Sequence, residues 1–277
     1  MIVKIKVLQI LDDFRSTCIQ KLFVNIDLRF SNPFWRIMAT NAKLAVLIDA
    51  DNDDASVIQE LLAEVSRYGT ATIKRAYGNW TTPQLQHWKE VLNKLAIQPI
   101  QQFSYTTGKN SSDSALIIDA MDVLHSKQVD GFCIVSSDSD FTRLATRIRE
   151  SGLAVYGFGQ RKTPEAFVAA CDKFVYTEIL KASTAPEPNT KAPQFPPLKP
   201  MILAALEASS RDDGWAPLGP VGSHITKNHP AFDARNYGFT KLSDLVRKQT
   251  YLEFKDVPTL RPDGVTHNNL HIRGKQK

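Results

Sequence analysis

The chain has 277 residues, 43% of them hydrophobic and 23% charged. These proportions suit a soluble globular protein with room for one large domain or two smaller ones, and its apolar runs are too short to span a bilayer. A formal charge of +5 permits a polyanionic partner without demanding one, and Cys18, Cys133 and Cys171 lack the spacing of a metal site or disulfide framework, which predicts reduced thiols in a cytoplasmic protein. Residues 1–40 differ from the rest. Their first eleven residues suit a strand or a weak signal-like segment, ended early by Asp12 and Asp13. Met38 is the expected native start, with residues 1–37 an upstream extension. From Lys43 strands and helices alternate. Leu44–Asp49 reads as a buried strand, and Val57, Ile58, Leu61, Leu62 and Val65 recur at helical spacing. Thr70–Tyr77 is a β-branched strand, Pro83 opens a second helix, and Ile97–Phe103 is a third strand. A polar loop over 104–112 precedes a helix over Asp113–His125. The pattern continues with a strand at Gly131–Ser136, a helix at Phe141–Ser151, a strand at Leu153–Phe158, a helix from Pro164 and a last strand at Lys173–Tyr176. Strands alternating with helices predict βαβ units and a mostly parallel sheet covered on both faces.

Residues 181–197 are proline-rich and too poor in apolar side chains to build a core, so they read as a linker. A small helical domain is expected over 198–255, with helices at Met201–Ala208, Leu218–Asn228 and Lys241–Lys248 and a short strand at Tyr251–Phe254. Residues 256–277 read as a basic, disordered tail. Two modules on a flexible linker predict avidity for a shared ligand.

The chemistry lies in acids at the ends of apolar runs. Leu44–Ile48 runs into Asp49, Asp51 and Asn52, and Gly131–Val135 runs into Asp138 and Asp140. Asp113 opens the helical stretch after Lys109. In parallel sheets, sites lie beyond the carboxyl ends of strands. Carboxylates gathered there repel one another unless a cation offsets them, and an all-oxygen ligand set suits Mg²⁺ or Mn²⁺. Each acid also has a plain structural reading, Asp113 and Asp138 as helix-start residues among them. At about 100° per residue, Asp119 lies about 120° around the helix from Asp113, which leaves it beside the site rather than in it. Asp53 and Asp54 read as caps of the first helix. One or two such ions can activate water and stabilise a leaving oxygen in phosphodiester hydrolysis without a histidine base.

Leu47–Asn52, Lys109–Asp119 and Val135–Phe141 occur in an order that resembles the NYN family of PIN-like nucleases, over about residues 42–180. The resemblance implies a PIN-like three-layer α/β sandwich and metal-dependent RNA cleavage. It implies Asp49, Asp113, Asp138 and Asp140 as catalytic, metal-binding acids, and Asp119 as a further, outlying one. It also implies Asn52 supporting Asp49 or touching substrate, and Lys109 meeting a phosphate. Asp213–Gly222 and Pro230–Leu245 resemble the LOTUS, or OST-HTH, domain. That implies a winged helix-turn-helix that binds RNA, and in some members a protein partner. Arg235 and Lys241 lie on the basic stretch expected to meet single-stranded RNA. A homodimer is left open. Two other readings stand beside the ribonuclease: a non-catalytic RNA-binding regulator, and a haloacid-dehalogenase-type phosphatase with Asp49 as nucleophile. The second lacks that family's hydroxylic residue after Asp51 and a lysine before the late acidic pair.

Overall fold

The computed structural model describes residues 42–103, 111–181, 195–210, 213–260 and 266–275. The expected start at Met38, the loop with Lys109 and most of the linker lie outside the described residues.

The first domain is built on six strands: β1 (Lys43–Asp49), β2 (Thr70–Gly78), β3 (Gln98–Gln101), β4 (Gly131–Val135), β5 (Ala154–Gly159) and β6 (Lys173–Tyr176). They form one sheet in the order β3-β2-β1-β4-β5-β6, and every neighbouring pair is parallel. Five helices connect them: α1 (Ile58–Val65), α2 (Trp88–Lys94), α3 (Ser111–Ser126), α4 (Thr142–Glu150) and α5 (Glu165–Ala170). The expected three-layer α/β sandwich is therefore present. Strand parity sorts its two cores. Leu44, Val46 and Ile48 face α1 and α2, packing with Ile58, Leu61, Trp88 and Leu92. Ala45 and Leu47 face α3 and α4, packing with Leu116, Ala120, Leu144 and Ile148. Such alternation is a direct consequence of the two-residue strand period.

Two elements are shorter than expected. Pro83 opens only a 3₁₀ turn over Pro83–Leu85, and α2 begins at Trp88. β3 spans four residues and contains Pro99, which gives the ladder no N–H and is tolerated because β3 is an edge strand.

The second domain contains α6 (Leu198–Ser209), β7 (Ala216–Pro217), α7 (Leu218–Asn228), α8 (Leu242–Arg247), β8 (Leu252–Leu260) and β9 (Thr266–Gly274). Its strands form an antiparallel sheet in the order β7-β9-β8. Ile202, Ala205, Val221, Ile225, Leu245, Val246 and Ile272 make its core. The three helices and the wing-like sheet agree with a winged helix-turn-helix. The expected disordered tail is corrected: β8 runs past Phe254, and residues 266–274 return along it as β9. The misreading has a simple cause. Thr-His-Asn-Asn-Leu-His-Ile-Arg-Gly is mostly polar, with only Leu270 and Ile272 apolar; it buries Ile272 fully, while Arg273 pairs across the strands with Glu253 at 2.5 Å.

The expectation of loosely tethered modules gives way to a docked pair. Arg235 reaches across to Glu64 on α1 with two hydrogen bonds of 3.0 Å and also binds Asp233 at 2.8 Å. Lys173 on β6 donates to the Phe232 carbonyl at 2.5 Å and lies 3.8 Å from Asp233. The Phe174 N–H, on the outer edge of the sheet, donates to the Pro230 carbonyl at 3.0 Å. Glu64, only 6% exposed, also accepts from Arg67 and Tyr68. Burial alone would push its carboxyl up; the bonds from Arg235 and Tyr68 outweigh this and hold it below the ordinary range.

Candidate metal and phosphate site

The sheet reverses direction of growth at β1: the chain builds outward through β2 and β3, then crosses to β4 on the other side. The carboxyl ends of β1 and β4 therefore open onto the crevice where ligands bind in sheets of this kind. Asp49 closes β1 with the parity of Ala45 and Leu47, so it points to the α3 side. Ser136 follows β4 with the parity of Phe132 and Ile134, and so points to the same side. Their side chains meet, with the Ser136 hydroxyl donating to Asp49 Oδ2 at 2.9 Å. Asn52 Nδ2 donates to that same oxygen at 2.9 Å. The expectation did not name Ser136; the two-residue period applied to Phe132, Ile134 and Ser136 is the signal that finds it.

Asp113 sits in the first turn of α3, 5% exposed, below the same crevice. Asp138 caps the 3₁₀ turn Ser139–Phe141, accepting the Asp140 N–H at 2.9 Å. Carboxylate oxygens of Asp113, Asp138 and Asp140 lie within 4.8 Å of one another. The electrostatics show the cost. Burial first, then Asp49, Asp138 and Asp140, push the Asp113 carboxyl up to about 6. Asp49, 1% exposed, is also raised by burial, against the lowering effect of Asn52 and Ser136. Asp49 Oδ1 and Asp113 Oδ1 are buried with no hydrogen-bond partner among the described residues. Unpaired, mutually repelling buried carboxylate oxygens fit a bound divalent cation with hard oxygen ligands.

The other expected site residues are distributed as follows. Asp119 is not in the cluster: it pairs with Arg75 and accepts the Tyr77 hydroxyl. Arg75 and Tyr77 project from β2 with one parity, and the turn of α3 between Asp113 and Asp119 places the second acid over that strand. Lys109 lies outside the described residues. Arg235, expected on an RNA-binding face, is instead committed to Glu64 and Asp233. Lys241 is exposed just before α8. Asp54 caps the turn before α1 as expected, accepting the Ser56 N–H at 2.9 Å. Asp53 does not simply cap: its Oδ2 is buried without a partner, and burial together with Asp49 pushes the carboxyl up to about 8, against the pull of Lys162. Cys133 and Cys171 are buried free thiols away from this chemistry, both raised by burial. Among the described residues no helix is long and apolar enough to cross a membrane.

Gly159 locks the crevice. A Cβ there would stand 2.5 Å from the Ser136 carbonyl oxygen and 2.8 Å from Thr163 Oγ1. Gly159→Ala is expected to cost about 1–3 kcal/mol and to move Ser136 away from Asp49. Thermal melting and Mn²⁺ titration calorimetry would read both effects; unchanged melting and affinity would show that the strand ends yield freely.

The chain matches the NYN domain over residues 43–180 and the OST-HTH/LOTUS domain over residues 195–259. No curated protein matches it. Solved structures similar to it include a protein of unknown function from Vibrio parahaemolyticus. That protein is 20% identical, covering 50% of this chain and 93% of its own, with a TM-score of 0.42. An uncharacterised protein from Nitrosomonas europaea is 38% identical over 35% of this chain and 92% of its own, with a TM-score of 0.26. A Chromobacterium violaceum fragment is 37% identical over 29% of this chain and 83% of its own, with a TM-score of 0.24.

Proposed function

We propose that this chain, which belongs to the NYN domain family and carries an OST-HTH/LOTUS domain behind it, is a divalent-metal-dependent endoribonuclease. The observation that carries the reading is the convergence of Asp113, Asp138 and Asp140 beside Asp49 at the switch point of the sheet. Asp113, Asp138 and Asp140 would hold Mg²⁺ or Mn²⁺, with Asp49 alongside. When bound, such an ion neutralises charge on a phosphoryl group and activates water for attack. The chain's own part is to place the carboxylates. Ser136 and Asn52 fix one oxygen of Asp49 and leave the other aimed away from both. Asp138 is fixed by the Asp140 N–H. Hydrolysis by this route forms no covalent enzyme intermediate. The substrate is RNA, single-stranded where it enters the site, and the LOTUS domain contributes to its binding and offers a surface for a protein partner.

The phosphatase reading loses support in the geometry. A nucleophilic aspartate needs access to phosphorus, but Asp49 is 1% exposed and one of its oxygens already accepts two hydrogen bonds.

The test is cleavage of a labelled single-stranded RNA in Mn²⁺ by wild type and Asp138→Asn. Cleavage by the wild type alone is expected. Equal cleavage by both would sink the assignment of the site, and RNA binding without cleavage by either would make the protein a non-catalytic RNA-binding regulator.

A further inference from the structure

A second concave site lies where the two domains meet. It is a cleft of about 750 Å³, walled by residues of both domains and by the end of the segment joining them. That volume suits a nucleotide-sized ligand. Its aromatic wall is continuous. Tyr176 at the end of β6 lies 6.5 Å from Phe195, Phe195 lies 5.4 Å from Tyr237, and Tyr237 lies 5.9 Å from Phe232, centroid to centroid. The Tyr237 hydroxyl donates to the Pro196 carbonyl at 3.0 Å, which fixes the ring. The Arg161 guanidinium stands 5.3 Å over the Phe195 ring, so this face already accepts a flat cationic group.

The cleft is joined to the acidic crevice by one loop. Between β5 and α5 the chain passes through Gln160, Arg161 and Lys162. The Gln160 N–H donates to Ser137 Oγ at 2.8 Å, next to Asp138. Lys162 lines the cleft, yet its charge also acts on Asp53 beside Asp49. One cation thus stands at the aromatic wall and the next residue's charge reaches an acid beside the crevice, as a strand carrying a phosphate at each step requires. Glu165 and Glu178 also line the cleft, and Glu178 accepts the Arg161 N–H at 2.9 Å. These carboxylates disfavour a polyphosphate. They leave as the fitting ligand a group with one negative charge and a large aromatic face.

We propose that this interdomain cleft binds a nucleobase of the RNA strand next to the scissile phosphate, stacked on Phe195 and Tyr237 with its phosphate held by Arg161 and Lys162. The inference rests on the ribonuclease reading for its substrate class, and it makes RNA recognition a property of the docked pair rather than of the LOTUS domain alone.

The experiment uses the full chain in EDTA, so that no RNA is cut. An unstructured RNA carrying a single 2-aminopurine is titrated, and its fluorescence reports stacking. Wild type is expected to quench it on binding. Arg161→Ala and Phe195→Ala are expected to weaken binding about tenfold and abolish the quench, with melting temperature preserved. Val168→Trp, which fills the cleft and keeps every aromatic wall residue, guards against a loss caused by misfolding and is expected to give the same loss. Unchanged affinity and quench in all the cleft variants, with Asp138-dependent cleavage in Mn²⁺ intact, would overturn the cleft and leave the ribonuclease standing. Cleft-dependent quenching with no cleavage in Mn²⁺ would uphold the cleft and overturn the ribonuclease.

Discussion

Asp113→Asn is expected to destroy cleavage and to make the metal-free protein more stable. The two effects have one origin. Asp113 is 5% exposed, has an unpartnered oxygen, and is raised from 3.8 to about 6 by burial and by Asp49, Asp138 and Asp140. In the unfolded chain the group ionises near 3.8. Between about pH 4 and 6 the folded form holds a proton that the unfolded form has lost, so its stabilising contribution fades as pH rises and is gone above about 6. At pH 7.5 the folded protein therefore bears a penalty of about 3 kcal/mol from this one carboxylate. The neutral amide removes that penalty, and a higher melting temperature in EDTA is the expected result. Mn²⁺ should raise the melting temperature of wild type and leave the variant nearly unmoved, while cleavage falls at least about 10²-fold. Proton competition also weakens cation binding to wild type as pH drops through 6, which calorimetry at pH 5 and 7.5 would read. A variant that melts lower than wild type in EDTA would contradict this account of the site.

Arg235→Ala is expected to undock the domains. Its guanidinium is 25% exposed and holds both Glu64 and Asp233, and burial of Glu64 is tolerable because of that hydrogen-bonded charge. Removing the partner of a buried ion costs about 3 kcal/mol. Chemical denaturation should show that loss, and small-angle scattering should show a larger radius of gyration. Glu64 sits below its ordinary value of 4.5, so its contribution is complete above that pH and is lost as pH falls through its folded value. Undocking on acidification is the matching result. An unchanged radius in the variant would show that docking rests on other contacts, such as Lys173 with Phe232.

The parallel sheet and the convergence of the acids were legible because each strand of the first domain is a short run with a clear period, Asp49, Asp138 and Asp140 follow the ends of two such runs, and Asp113 opens a helix. What escaped is what depends on distant partners. Arg235 looks like an RNA contact in the sequence, since nothing near it shows that Glu64, 171 residues away, will take its charge. Asp119 reads as an outlying metal ligand until Arg75 and Tyr77 are brought over it by β2. Residues 266–274 read as a tail because their pairing with β8, not their apolar content, makes them a strand. Asp49 and Asp113 are the converse case: the folding rules of the sheet bring them to one crevice, and the strand-end position of the first with the helix-start position of the second was enough to foresee it.

The hydrogen bond from Phe174 to Pro230 has a consequence for how the molecule can be taken apart. β6 is the outermost strand, and the second domain lies over its open side. An NYN domain cut off near residue 181 would present that strand bare, with Phe174 and its neighbours ready to pair with another copy. The shorter protein would then associate or precipitate for reasons unrelated to RNA. The LOTUS domain is thus also a chaperone-like cover for the sheet, and its removal changes the solubility of what remains as well as its reach.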